Sequence, residues 1–284
     1  MVTWSLDQAY DAYPQIEEEF EEALDQSLDP RSSAMLFDLV AGFGLAAGAV
    51  AIDVGCGEGA QAIGLAERFG FSVTGIDPVR RHIEIARAAA ASTGAVFRLG
   101  TAEQIPARDA TADLVWCRDV LVHVTDLARA YTEFRRVLRP GGRALVYQMF
   151  GTERLEPREA AWLWDTMGVR PASADPASTD AAIAAAGLRI DQCIPVGTEW
   201  GEWAQERNGN EGRKLLHASR LLRGRDAYVE RFGQAPYDMM LGDCLWHVYG
   251  MIGKLARRVY LLSAPARPDT TDRSPAFLSF ARRR

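Results

Sequence analysis

The sequence predicts an α/β fold on a mostly parallel sheet with helices on both faces, and three observations carry the prediction. From residue 49 onward, short apolar runs alternate with stretches of helical periodicity, the sequence form of repeated β-α units. The first run, 50–54, passes directly into a glycine-rich turn, Gly55-Cys56-Gly57-Glu58-Gly59, that opens a helix. The chain of 284 residues is 48% hydrophobic and 25% charged, so it can bury a core without disulfides or a structural metal.

The elements follow in order. Residues 1–30 are acidic, with Glu17-Glu18-Glu19 and Glu21-Glu22 around Ile16, Phe20 and Leu24 at helical spacing, which predicts an amphipathic helix. A second helix after Asp29-Pro30 carries Met35, Leu36, Leu39 and Val40 and stops near Gly42 and Gly44. Strands are expected at 50–54, 72–76, 96–99, 113–117 and 143–148, and the firmest helices at 60–69, 79–91 and 127–138. Beyond Phe150 the chain is rich in Trp, Pro, Asp and Ala, with Trp162 and Trp164 on a helix and a loop around Pro171 and Pro176. A helix at 180–186, ended by Gly187, leads into a sixth strand at 188–196. Residues 198–255 read as helical and aromatic-rich, and 257–262 as a seventh strand before a polar, Arg-ended tail.

Charge and composition narrow the ligand. With 32 basic and 38 acidic residues the net charge is −6, which argues against a general electrostatic grip on nucleic acid or anionic lipid and favours a small molecule. The N-terminus has neither the basic start nor the apolar run of a secretion signal, and no stretch is long enough to cross a bilayer, so a cytoplasmic address is expected. Cys56, Cys117, Cys193 and Cys244 show no C-x-x-C spacing, so neither a disulfide framework nor a metal site is expected. A homodimer is compatible with the sequence but not demanded by it.

The chemistry concentrates around the first strand. Glycines let the backbone approach a ligand closely, and free N–H groups at a helix N-terminus attract an anion, whether carboxylate or phosphate. Gly55, Gly57 and Ala60 satisfy the G-x-G-x-x-G/A pattern of dinucleotide-binding folds. Asp53 within the strand and the tighter spacing Gly55, Gly57, Gly59 tilt the reading elsewhere. Thr74-Gly75-Ile76-Asp77 ends the second strand with an acid, a feature that points to a nucleoside without choosing the cofactor. Further on come Gly100-Thr101-Ala102-Glu103-Gln104-Ile105-Pro106, then 112–124, ending in Arg118-Asp119-Val120-Leu121-Val122-His123-Val124, and lastly Leu138-Arg139-Pro140-Gly141-Gly142.

Taken in this order, the motifs resemble those of the class I S-adenosylmethionine-dependent methyltransferases, a resemblance that runs through most of the first half of the chain and continues only in outline beyond it. It implies a Rossmann-like seven-stranded sheet, S-adenosylmethionine as cofactor and S-adenosylhomocysteine as product. By the same resemblance Asp53, Gly55, Cys56, Gly57 and Gly59 take the methionine portion, the Cys56 contribution being backbone. Asp77, with Pro78 beside it, takes the ribose, and Ala102 and Glu103 the adenine. Arg118 borders the cofactor, and His123 is a candidate general base. The implied reaction is in-line methyl displacement onto an O, N or C nucleophile of a small molecule, such as a natural-product intermediate.

The organisation expected is an N-terminal helical cap (1–45), a cofactor-binding core (46–150), a cap insertion (151–175), a return to the core (176–197), a helical substrate cap (198–255), and the seventh strand with the tail (256–284). Tyr10, Tyr13, Trp162, Trp200 and Trp203 are candidates to enclose an apolar or cationic substrate, with core packing as the alternative. Glu199 and Glu202 are candidate carboxylates for a cationic amine or a proton. A nicotinamide-dependent oxidoreductase, or a non-catalytic methyltransferase-like protein that binds the cofactor, remain alternatives.

Overall fold

The computed structural model describes residues 4–26, 29–91 and 93–265; the Arg-ended tail expected after the seventh strand lies outside them. Two helices, α1 (Leu6–Gln26) and α2 (Met35–Ala41), precede the alternating part. There follow β1 (Val50–Val54), α3 (Ala60–Phe69), β2 (Ser72–Asp77), α4 (Arg80–Ala89), β3 (Val96–Leu99), β4 (Ala112–Arg118), α5 (Leu127–Val137) and β5 (Leu138–Gly151). The second half holds α6 (Pro157–Met167), α7 (Pro176–Ala185), β6 (Arg189–Pro195), then α8 (Glu199–Asn208), α9 (Asn210–Arg223), α10 (Arg225–Phe232), α11 (Gln234–Met251) and β7 (Leu255–Ser263).

All seven strands form one sheet in the order β3-β2-β1-β4-β5-β7-β6. The pairs from β3 to β5 are parallel, and β7 runs antiparallel to both β5 and β6. Strand order reverses between β1 and β4, and in open α/β sheets a ligand crevice lies beyond the carboxyl ends of the strands at that point. Gly55 and Asp119 are the first residues past those two ends.

Side-chain alternation splits the core into two layers. On β4, Leu114 and Trp116 face one way, packing with Leu36 and Val40 of α2, Leu65 of α3 and Ile83 of α4. Val115 and Cys117 face the other way, against Tyr131 and Phe134 of α5 and Ile183 of α7. Smaller clusters join α6 to β7 and α11 through Leu163, Trp164 and Leu255, and α9 to α11 through Leu221, Leu241 and Cys244.

Among the boundaries that differ from expectation, two have clear local reasons. Helix α7 starts at Pro176 because the Asp175 carboxylate accepts from the Ser178 N–H (2.8 Å) and proline preorganises the first turn. Strand β5 begins at Leu138, ahead of the Pro-Gly-Gly turn, because Leu138 already pairs with Ala112 across a register shift.

Candidate active site

The loop after β1 sits in left-handed backbone, with φ of +72° at Gly55, +51° at Gly57 and +92° at Gly59. Gly55 is doubly constrained, since a Cβ there would run into the Val120 side chain. Most of the loop N–H groups have protein acceptors. Those of Gly55 and Cys56 donate to the Ile76 carbonyl (2.8 and 2.9 Å), that of Gly57 to Asp77 Oδ2 (3.0 Å) and that of Gly59 to the Cys56 carbonyl (2.9 Å). Within the loop itself the fold thus supplies its own carbonyls and carboxylates to these N–H groups, which concerns the loop and not the first turn of α3.

Asp53 and Asp77 divide that work. The Asp77 carboxylate ties the loop to the next element: Oδ1 accepts from the Val79 N–H (2.9 Å) and lies 3.2 Å from His82 Nδ1. Asp53 is 1% exposed, and Oδ2 has no hydrogen-bond partner among the described residues. Burial pushes its carboxyl up to about 7, against the opposing pull of the Ala62 N–H in the first turn of α3; Asp77 adds to the rise and Arg118 reduces it. The Cys56 thiol, pushed up by burial and by Asp53 and Asp77, stays protonated, and its N–H is spent on Ile76.

A cavity of about 280 Å³ opens beside this loop, lined by Gly55, Asp77, Pro78, His82, Ala102, Glu103, Asp119 and His123 among others. Five of the residues expected at the cofactor therefore line one space. Glu103 Oε1 accepts from the Asp126 N–H (2.9 Å), fixing the 100–106 loop to the start of α5.

A second cavity, of about 460 Å³, lies on the other side of Asp119 and His123. It is walled by Trp200 and Trp203 of α8, Trp246 and His247 of α11, Tyr147 and Met149 of β5, and by Arg118, Glu211 and Arg257. Trp200 stacks on Tyr147 with ring centroids 4.4 Å apart and planes 13° from parallel, and the Arg118 guanidinium lies 5.7 Å from the Trp200 ring centre. Arg118, expected at the cofactor, thus lines the second cavity and not the first.

Asp119 and His123 border both spaces. Asp119 has φ of +59°, unusual for a residue with a Cβ, and its N–H is held by the Tyr147 carbonyl (2.9 Å). Surrounding protein pushes its carboxyl up, although the side chain faces open cavity space; Arg118, Arg257, His123 and His247 pull it down. His123 Nδ1 is 3.2 Å from the Gly168 carbonyl oxygen. A carbonyl only accepts, so in the neutral ring Nδ1 carries the proton and Nε2 the lone pair.

The remaining candidates lie elsewhere. Tyr10 and Tyr13 are exposed on α1 and border neither cavity, because α1 stands outside the packed clusters. Trp162 packs between α6 and the α9–α11 pair. Glu199 is taken by Arg31 through two 2.6 Å hydrogen bonds, and Glu202 by the Thr198 hydroxyl, so neither offers a carboxylate to the cavities. Sequence reasoning missed Tyr147, Glu211, His247 and Arg257 as wall residues; they reach the site from β5, α9, α11 and β7 and carry no local motif.

Comparison with known proteins agrees with this architecture. Residues 52–146 match the family model described as a methyltransferase domain. Methyltransferase GfsG of Streptomyces halstedii is 35% identical over 127 residues, 42% of this chain and 46% of that protein. The 27-O-demethylrifamycin SV methyltransferase of Amycolatopsis mediterranei is 36% identical over 117 residues, 39% of this chain and 43% of that protein. The matched segment spans about half the length, or less, of the curated relatives. Among solved structures, the [4+2]-cyclase SpnF superposes with a TM-score of 0.64 at 24% identity, covering 82% of each chain. The geranyl diphosphate C-methyltransferase of Streptomyces coelicolor A3(2) gives 0.61 at 14% identity, covering 82% of this chain and 80% of that one. Residues 52–146 thus match a methyltransferase domain, and the described chain has the Rossmann-like fold of solved methyltransferases.

Proposed function

We propose that the protein is an S-adenosylmethionine-dependent methyltransferase that methylates an O, N or C nucleophile of a small molecule. The observation that carries this reading is the pair of cavities that share Asp119 and His123 in their linings, one beside the glycine loop and one walled by aromatic side chains. A donor in the first and an acceptor in the second would meet at those shared residues, the arrangement that in-line transfer needs. The identities with natural-product methyltransferases point the same way.

The residues fit the cofactor. Gly55, without a Cβ, lets the loop pack directly against Val120 at the cavity, Asp77 brings a carboxylate with acceptor capacity to it, and Asp53 keeps an unpaired buried oxygen behind the loop. When bound, S-adenosylmethionine supplies a methyl group already activated by the sulfonium. The chain's part is then to bind, orient and exclude water. Asp77 is the ribose ligand and Glu103, with Ala102, the adenine side. His123 Nε2, with its lone pair free, accepts the proton of a hydroxyl or amine acceptor. Residues of 198–255, with Ser33 of the first segment and Met167 of 151–175, cap the acceptor cavity beside the 46–150 core. Cytoplasmic residence is supported by four unpaired cysteines, and no helix among the described residues is long and apolar enough to cross a membrane.

Calorimetric titration with S-adenosylmethionine, S-adenosylhomocysteine and NAD(H) tests the reading. Micromolar binding of the first two is expected. Asp77→Ala, which removes the acceptor for the Gly57 and Val79 N–H groups as well as the ribose ligand, should weaken it by roughly 100-fold. Binding of NAD(H) alone would overturn the assignment.

A further inference from the structure

The second cavity carries two guanidinium groups, Arg118 and Arg257, alongside the carboxylates of Asp119, Glu211 and Asp243. Arg118 ends β4 opposite Tyr147 of β5, and Arg257 on β7 lies opposite Met149, so the sheet order brings both arginines to one stretch of β5. Tyr147 and Met149, two residues apart, share a face, and both line the cavity. Arg257 is 6% exposed. Its guanidinium lies where α11 has Gly250, whose Cβ, if present, would be 2.7 Å from Nη2.

Neither guanidinium has a carboxylate within 4.0 Å among the described residues. Arg257 donates to the Gly197 carbonyl (3.3 Å) and interacts with the Tyr147 hydroxyl, neutral partners that leave its charge unbalanced. The Arg118 guanidinium makes no hydrogen bond to a described residue, and the Trp200 indole N–H is buried without an acceptor. The cavity's carboxylates are mostly engaged elsewhere: both oxygens of Glu211 face His247 Nδ1 at 3.1 Å, and Asp243 is bound to Lys214. Asp119 remains, close enough for both arginines to lower its pKa but beyond ion-pair distance. An arginine cannot shed its charge at ordinary pH, and a buried unpaired cation is costly, so this space favours an anion from outside.

We propose that the methyl acceptor carries a carboxylate, held by Arg118 and Arg257, with a planar apolar body against Trp200, Trp203 and Trp246. Neither guanidinium is ion-paired by the carboxylates of the cavity, so a carboxylate on the acceptor gains charge-assisted partners there, whereas a cationic amine meets like charge. The planar fork of a guanidinium matches a carboxylate, and the indole rings match a flat body. This substrate class rests on the methyltransferase reading of the same site.

The test compares matched ligands on protein saturated with S-adenosylhomocysteine: 4-hydroxycinnamate against 4-hydroxycinnamamide, and 2-naphthoate against 2-naphthamide, with tyramine and phenyl phosphate alongside. Each carboxylate should bind at least about tenfold more tightly than its amide, a difference of ~1.4 kcal/mol. Arg257→Gln and Arg118→Gln should each collapse that preference while S-adenosylhomocysteine still binds. Arg118, the less buried, carries the test should Arg257→Gln not fold. Equal or tighter binding of an amide or of tyramine, tighter binding of phenyl phosphate, or no binding of any carboxylate would overturn the proposal. Failure of S-adenosylhomocysteine to bind would instead overturn the cofactor reading, and the same carboxylate and amide pairs on the cofactor-free protein would then still report on the anion site.

Discussion

Asp53 is a carboxylate that the fold makes hard to ionise, and this has a measurable sign. Below about pH 4 the folded and unfolded chains both hold its proton; above that the unfolded chain releases it first, while the folded chain keeps it to about 7. Stability from this group therefore falls as pH rises through that window, by up to ~1.4 kcal/mol per pH unit. Urea denaturation of the cofactor-free protein from pH 4 to 8 should show this slope, and Asp53→Asn should remove it from the difference curve. Gly55→Ala faces both a left-handed φ and the Val120 side chain, and should cost about 2–4 kcal/mol in the same assay and abolish S-adenosylhomocysteine binding. Residues such as Gly55, Asp77 and Glu103 were legible in the sequence because each works within a few residues of its own strand end. Arg257 was not, since its importance comes from facing Asp119 and Arg118 across two strands, a relation that exists only after β7 inserts between β5 and β6.

At the scale of elements, periodicity located every strand, and the boundaries it misjudged were those decided by a cap or a cross-strand pair. Helix α3 was legible to the residue, bracketed by left-handed Gly59 and Gly70. The start of α7 was equally written in Asp175-Pro176, but a weak amphipathic pattern obscured it. The N-terminal helix poses a sharper question. Leu6, Tyr10, Tyr13 and Phe20 are all exposed on α1, whereas the chain just after it is anchored by Arg31, which grips Glu199 and the Pro195 carbonyl. Starting the chain at residue 29 keeps that anchor, and should change global stability by less than about 1 kcal/mol. Turnover and acceptor affinity of the same truncation report on the cap: if both are unchanged, Tyr10 and Tyr13 have no part in enclosing the substrate.

The whole molecule is organised so that its first half builds one cavity and its second half most of the other. The motif-bearing residues 52–105 supply the glycine loop, Asp77 and Glu103, and the family-model match ends at residue 146. The aromatic wall comes largely from α8 and α11, where composition announced helices and tryptophans but not which of them would meet. Recognition of the acceptor was consequently the least legible property, since it depends on packing between elements far apart in the chain. The sharing of Asp119 and His123 by the two cavities has a consequence for how the ligands bind. Two ligands that touch the same two side chains are thermodynamically linked, and each changes the affinity of the other by the same factor. The first ligand to bind completes the floor on which the second rests, so acceptor affinity should rise when S-adenosylhomocysteine is present, and initial-rate plots should intersect instead of running parallel. Turnover would then pass through a ternary complex in which each ligand strengthens the hold on the other, by the sharing of two side chains.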